Sequence, residues 1–136
     1  MVTYVLDSSA VLRFLDGEAG HERVAAIIKG HMAGRHRAVI SVIHWGEVAG
    51  VVCRVHGRET ADEVLARLFA FGLEVLPVAP EQAVAAAFLK VETDVPYADA
   101  FAAELAARIP DSVLLTADFD LKAVEKKVAV EFLPRK

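Results

Sequence analysis

The stretch that decides the fold is Val2-Thr3-Tyr4-Val5-Leu6-Asp7-Ser8-Ser9. Its β-branched and apolar residues predict a buried strand over Val2–Leu6, and an apolar helical pattern follows the break at Asp7. Val113–Thr116 repeats this arrangement, because a second apolar run there ends just before Asp118. The sequence therefore predicts at least two strand–turn–helix units, each with an aspartate where its strand ends.

Strands and helices alternate along the rest of the chain. Three further apolar runs predict strands: Ala38–Ile40, Leu73–Leu76 and Val128–Val130. Start and stop residues predict the intervening helices: His21–Met32, Ser41 (as N-cap) to His56, a helix opened by a Thr60/Glu63 capping box, Pro80–Lys90, and one from Pro96 to about Arg108. A short helix with Leu121 and Val124 precedes the last strand. This alternation predicts an α/β protein with a parallel sheet of four or five strands, covered by helices on both faces.

Length and composition bound the organisation. The 136 residues suit one domain, which we assign to residues 1–133, with a loose tail at 134–136. The single cysteine, Cys53, is expected to be a buried small hydrophobe, and no zinc-ligand spacing is present. The sequence has no signal-peptide or membrane-span pattern, so we expect a cytoplasmic protein. The net charge of −4 argues against nucleic-acid binding through a broadly basic surface.

Asp7 and Asp118 are the first candidate site residues. The carboxyl ends of parallel strands share one edge of a sheet, so the two carboxylates lie close together if their strands are neighbours. Each aspartate could instead only cap the helix that follows it. Both interpretations remain open from the sequence.

Asp99 lies on a helix face of small apolar residues, with Ala102, Ala103 and Ala106 at the i+3, i+4 and i+7 positions. An alanine face packs closely, so the carboxylate is expected to be partly buried, which is costly without a cation or hydrogen-bond donors. The alternative is an acid placed in the first turn by the helix dipole.

Glu47 is less distinctive. The apolar stripe of its helix is expected at Val42, Trp45, Ala49, Val52 and Val55, and Glu47 lies off it. By position alone, a solvated Glu47 paired with Arg54 is the simpler interpretation, although few residues of this helix are polar.

Several carboxylates in one pocket would repel one another unless a cation is present, and all-oxygen ligands suit Mg²⁺ or Mn²⁺. Such ions activate water and neutralise phosphate charge, so the pattern points to phosphodiester chemistry. Arg13, Arg54 and Lys122 are candidates to hold the substrate strand, although each could be only a surface charge.

Four stretches carry a family resemblance: Val5–Ala10, Ser41–Val48, Tyr97–Ala102 and Leu115–Leu121. In order and spacing they resemble the four signatures of PIN-domain nucleases, most closely those of VapC-type toxins of bacterial toxin–antitoxin pairs. The resemblance covers nearly the whole chain and implies a PIN-like three-layer α/β/α fold.

The resemblance also implies a function. It implies a Mg²⁺- or Mn²⁺-dependent endoribonuclease with an acidic pocket of Asp7, Glu47, Asp99 and Asp118, in which Asp7, Asp99 and Asp118 hold the metal. Water would cleave RNA to a 3′-hydroxyl and a 5′-phosphate. Ser8 or Thr116 would orient the pocket. A homodimer and a small antitoxin protein as partner are implied as well.

Two positions qualify the resemblance. His44 stands where many relatives carry asparagine. Asp120 is an additional acid near the pocket, and it could either face the metal or simply lie in the first turn of a short helix, where the helix dipole favours an acid.

Three competing interpretations remain. A phosphoacceptor receiver domain would need paired acids after the first strand, where this chain has Asp7-Ser8-Ser9. A silent PIN module would not need all four acids. A PIN nuclease of RNA processing, outside any toxin pair, fits the same residues.

Overall fold

The computed structural model describes residues 1–136 and contains one five-stranded parallel sheet. Its strands are β1 (Thr3–Leu6), β2 (Arg37–Ser41), β3 (Glu74–Leu76), β4 (Ser112–Thr116) and β5 (Val130–Phe132), in the spatial order β3-β2-β1-β4-β5. All four neighbouring pairs are parallel, as the alternation of strands and helices predicted.

Helices cover both faces of this sheet. They are α1 (Ser8–Asp16), α2 (His21–Met32), α3 (Val42–His56), α4 (Arg58–Ala70), α5 (Pro80–Thr93), α6 (Tyr97–Arg108) and a 3-10 helix (Phe119–Val124). Alternate strand residues point to opposite faces. Val5 and Leu114 pack with α5, α6 and the 3-10 helix, whereas Leu6 and Leu115 pack with α1 to α4. Two cores flank the sheet, and the predicted three-layer α/β/α fold is confirmed.

Two predicted boundaries are wrong. The last strand is β5 at Val130–Phe132, because the backbone N–H of Val128 donates to Val124 and extends the preceding turn. The Thr60/Glu63 capping box does not open α4. That helix begins at Arg58, directly after Gly57, whose φ of +91° allows the chain to turn from α3 into α4.

The buried face of α3 also differs from the predicted stripe. His44, Val48 and Val52 are buried, whereas Val55 is 63% exposed and Cys53 is exposed. A hydropathy pattern places histidine on the solvent side of a helix. His44 is buried because it has polar partners in the interior (below), so the buried face of α3 includes His44 and differs from the predicted stripe. Cys53 is therefore a surface thiol.

The C-terminal residues, for which the sequence predicted a loose tail, make two polar contacts with the rest of the chain. Arg13 Nη1 donates to the carbonyl oxygen of Pro134 at 2.7 Å, and Lys136 pairs with Glu18 at 2.6 Å. These contacts join the tail to α1 and to the loop that follows it.

None of the helices has the length and hydropathy needed to span a membrane.

Candidate active site

The strand order reverses next to β1, because β2 and β3 lie on one side of it and β4 and β5 on the other. A parallel sheet opens a crevice at such a point, beyond the carboxyl ends of the strands. β1 pairs with β4, so Asp7 and Asp118 lie beyond neighbouring strand ends, which is the condition that the sequence left open.

Asp7 is buried at the floor of this crevice, with 1% of its surface exposed. Its Oδ1 accepts from the Ser9 hydroxyl at 2.7 Å and from the Ala10 backbone N–H at 3.0 Å, and its Oδ2 accepts from the Thr116 hydroxyl. Burial raises the pKa of Asp7, although the nearby His44 and these hydrogen bonds act to lower it. Asp7 therefore caps α1 and also occupies the crevice, so the two interpretations of the sequence are compatible.

The hydroxyls that bind Asp7 also accept hydrogen bonds from the two residues that follow β4. The backbone N–H groups of Ala117 and Asp118 donate to the hydroxyl oxygens of Ser9 and Thr116 at 2.9 Å each. Each hydroxyl has one proton, and Asp7 accepts both, so the network leaves little freedom to rotate. A supporting role was expected for Thr116, but none was expected for Ser9. The Asp-Ser-Ser sequence after β1 was the available signal for Ser9.

Asp99 reaches the crevice from the first turn of α6. Ala102, Ala103 and Ala106 are buried, as expected for its alanine face. The Asp99 carboxylate is 8% exposed, and its Oδ2 is buried without a hydrogen-bond partner. Burial, together with the nearby carboxylates of Asp118 and Asp7, raises the pKa of Asp99 to about 8. A buried carboxyl group can be ionised without a large energetic cost only if a cation or a hydrogen-bond donor binds it, and no donor of the chain binds Asp99 Oδ2.

Three carboxylates meet at this point. Asp99, Asp118 and Asp120 each offer an oxygen, and the three oxygens lie within 4.8 Å of one another. Asp118 also caps the 3-10 helix, because its Oδ1 accepts from the Asp120 N–H at 2.9 Å. Asp120, whose orientation the sequence left open, faces the cluster, whereas Asp7 lies beside it. An all-oxygen set with one unsatisfied buried oxygen fits a hard divalent cation.

Glu47 lies at the rim of the crevice, with 42% of its side chain exposed. Its Oε1 is 3.0 Å from both the Ser8 hydroxyl and His44 Nδ1, so its partners are Ser8 and His44 and not Arg54. The close contact with the His44 ring lowers the pKa of Glu47 despite its partial burial. The Ser8 hydroxyl donates to Glu47, and the orienting role that the resemblance implied for Ser8 stays a prediction.

His44 is fully buried and joins three elements. Its Nε2 donates to the Ala98 carbonyl at 2.8 Å, next to Asp99, while its Nδ1 lies 3.1 Å from the Ser8 backbone N and 3.0 Å from Glu47. Burial alone would lower the pKa of His44, but Glu47 and Asp7 outweigh it and the net shift is upward. The ring thus links α1, α3 and α6 at the site.

The three candidate cations have different surroundings. Arg13 is buried, and its Nη1 donates to the carbonyls of Ala19 and Pro134 at 2.7 Å each. These bonds give Arg13 a structural role, and the substrate contact expected of it stays a prediction. Arg54 is exposed on α3. Lys122 lies on the 3-10 helix that Asp118 caps.

Comparisons with known proteins agree with this geometry. The sequence model of the PIN domain matches residues 4–127. No curated protein matches the chain in sequence.

Solved structures share the fold at low identity. A chain of the DNA-bound VapBC complex from Salmonella typhimurium has a TM-score of 0.73 and 18% identity, with 97% of this chain and 98% of that chain covered. A chain of VapBC-5 from Mycobacterium tuberculosis has a TM-score of 0.62 and 21% identity, with 98% of each chain covered. PAE2754 from Pyrobaculum aerophilum has a TM-score of 0.66 and 22% identity, with 95% of this chain and 89% of that chain covered. The family match, the shared fold and the acidic crevice agree, and the chain belongs to the PIN domain family.

Proposed function

We propose that this protein is an endoribonuclease that hydrolyses RNA phosphodiester bonds with Mg²⁺ or Mn²⁺ as cofactor. One observation carries the proposal. The buried Oδ2 of Asp99 has no partner and lies in a cluster where oxygens of Asp99, Asp118 and Asp120 are within 4.8 Å. Membership of the PIN domain family supports nuclease chemistry.

Asp7, Asp99 and Asp118 are our proposed metal ligands, and the position of Asp120 adds a fourth candidate. Hydrogen bonds to both oxygens of Asp7 do not prevent this, because each carboxylate oxygen has two lone pairs. These hydrogen bonds would hold Asp7 in one orientation as an ion arrives.

A bound divalent ion would supply an activated water and offset the charge that develops on the phosphate. Glu47 is the proposed proton acceptor for that water. Ser8 and His44 both contact Oε1, which leaves Oε2 without a protein donor. The lowered pKa of Glu47 means that its carboxylate is ionised and can accept a hydrogen bond from water. The expected products are a 3′-hydroxyl and a 5′-phosphate.

The central test removes one carboxylate at a time. Asp7→Asn and Asp99→Asn should abolish Mn²⁺-dependent cleavage of single-stranded RNA, whereas the exposed Asp62→Asn on α4 should cleave like the parent. Millimolar Mn²⁺ should raise the melting temperature of the parent and of Asp62→Asn only. Full cleavage by either crevice variant would contradict the proposed site.

We further propose that the protein acts as the toxin of a toxin–antitoxin pair. A cleft of about 410 Å³ between α1, α3 and α4 could receive a segment of a small antitoxin that is partly apolar, because six of its ten lining residues are hydrophobic: Phe14, Leu15, Val52, Val64, Leu68 and Phe71. Expression should arrest growth, and co-expression of a small protein encoded beside it should relieve the arrest. RNA cleavage without growth arrest would favour an RNA-processing role.

A homodimer is the third part of the proposal. Val84, Phe88 and Val91 of α5 are 50%, 64% and 83% exposed, and their i, i+4, i+7 spacing places them on one face. An exposed apolar stripe of this kind suits a contact between subunits. Light scattering should give a dimer for the parent and a monomer for Phe88→Lys, with Lys90→Gln as a control. A dimer that survives Phe88→Lys would exclude this face.

A further inference from the structure

An aromatic pair borders the acidic crevice on the side of β5. The rings of Phe119 and Phe132 stack with centroids 5.0 Å apart and an interplanar angle of 12°. Phe119 directly follows Asp118, and Phe132 lies opposite Thr116 in the β4–β5 register. Since the Thr116 hydroxyl binds Asp7, the pair lies at the same sheet edge as the cluster.

Two cations lie over this pair. The guanidinium carbon of Arg135 is 3.9 Å from the centroid of Phe119, and the ammonium of Lys122 is 5.5 Å from it. Both side chains are exposed, and neither forms an ion pair with a carboxylate. Because Arg135 and Lys122 are not paired with carboxylates, both positive charges are available to bind an anion.

We propose that Phe119, Arg135 and Lys122 form a subsite for a nucleotide of single-stranded RNA next to the bond that is cleaved. A guanidinium supported by an aromatic ring offers its outer face to a nucleobase and its N–H edge to a phosphate oxygen. Stacking on aromatic and guanidinium planes is how proteins commonly hold unpaired RNA bases.

The proposed subsite explains how a protein with a net negative charge can attract RNA. The overall charge is −4, so a broad basic surface is not what attracts RNA to this protein. Cations concentrated at one side of the crevice would give local attraction for a strand that crosses the site. The inference rests on the proposed function, because it assumes that RNA is the substrate.

The test measures binding without cleavage. A fluorescein-labelled single-stranded RNA decamer is titrated with the full-length protein in EDTA, at two salt concentrations. Phe119→Leu keeps an apolar side chain against Phe132 but removes the flat ring. Arg135→Gln and Lys122→Gln remove the charges, and Lys126→Gln, an exposed lysine with no ring beneath it, is the matched control.

Phe119→Leu and Arg135→Gln should each weaken RNA binding about 5-fold or more, in the range seen for loss of base stacking. Lys122→Gln should weaken binding and reduce its salt dependence, while Lys126→Gln should bind like the parent. If Phe119→Leu lowers the melting temperature, Arg135→Gln decides, because its side chain is exposed.

Several results would overturn the inference. They are no binding of RNA by the parent, unchanged affinity in Phe119→Leu and Arg135→Gln, or a loss in Lys126→Gln as large as in Lys122→Gln. Loss of antitoxin binding with unchanged RNA affinity would assign the surface to a protein contact and refute the RNA subsite. RNA binding that depends on Phe119 and Arg135 without any metal-dependent cleavage would refute the proposed activity but keep the subsite.

Discussion

Asp99→Asn should stabilise the metal-free protein near neutral pH while it destroys metal binding. The folded protein holds Asp99 at a pKa of about 8, against 3.8 for an ordinary aspartate. At pH 7.5 folding therefore forces a proton onto a carboxyl that is ionised in the unfolded chain. Asparagine resembles the protonated form and avoids this cost.

The magnitude follows from the two pKa values. Each pH interval of one is worth about 1.4 kcal/mol, so holding the proton at pH 7.5 costs at most about 5 kcal/mol. Asp118 is half-buried and Asp120 is exposed, so solvent screens the cluster and we expect a gain of about 1–3 kcal/mol. For a chain of this size that corresponds to about 4–10 °C in melting temperature.

The advantage of Asp99→Asn should change with pH. A carboxyl whose folded pKa is raised supports the fold below its unfolded pKa, and that support is lost as pH rises toward the folded pKa. The advantage of Asp99→Asn should therefore be near zero at pH 4, grow through neutral pH and level off above about pH 8.

The assay is thermal unfolding in EDTA from pH 4 to 9, followed by circular dichroism, with Asp62→Asn as the matched control. Adding Mn²⁺ at pH 7.5 should reverse the order, because only the parent gains from metal binding. Lower stability of Asp99→Asn at pH 7.5 without metal would refute the reasoning. So would a gain that is as large at pH 4.

Three further predictions concern the hydrogen bonds of the crevice and the packing of α2. Thr116→Val removes the hydroxyl that binds Asp7 and should cost about 1–3 kcal/mol of unfolding free energy in a denaturant titration; a neutral effect would contradict the network. His44→Asn should destabilise the protein more at pH 6 than at pH 9, because the raised pKa of the ring supports the fold until pH rises through it; an equal loss at both pH values would contradict the charge interaction. Gly30→Ala should cost about 1–3 kcal/mol, because a Cβ there meets the His36 ring; the exposed Gly50→Ala is its control, and equal stability of the two variants would contradict the close packing.

Much of the architecture was readable from local chemistry. Short apolar runs that end at Asp7 and Asp118 predicted parallel strands, because buried strands need apolar residues on both faces. The alanine face beside Asp99 predicted its burial for a similar reason, since small side chains let a helix approach its neighbours closely. These inferences needed only the residue types and the periodicity of the backbone.

Other features depended on contacts between distant parts of the chain. His44 is buried because the Ser8 N–H and the Ala98 carbonyl, which are 36 and 54 positions away in the chain, meet its two ring nitrogens. Helical periodicity could not show those partners, so the buried face of α3 and the exposure of Cys53 were predicted wrongly.

Hydropathy and strand ends are local properties, so the sequence predicted the layers of the fold and pointed to Asp7, Asp99 and Asp118 as candidates. Which groups meet depends instead on tertiary packing. It placed Glu47 beside Ser8 and His44, turned Asp120 toward Asp99 and Asp118, and left one oxygen of Asp99 without a partner. Distances of a few ångströms between side chains from different elements decide such contacts, and packing of the whole chain sets these distances.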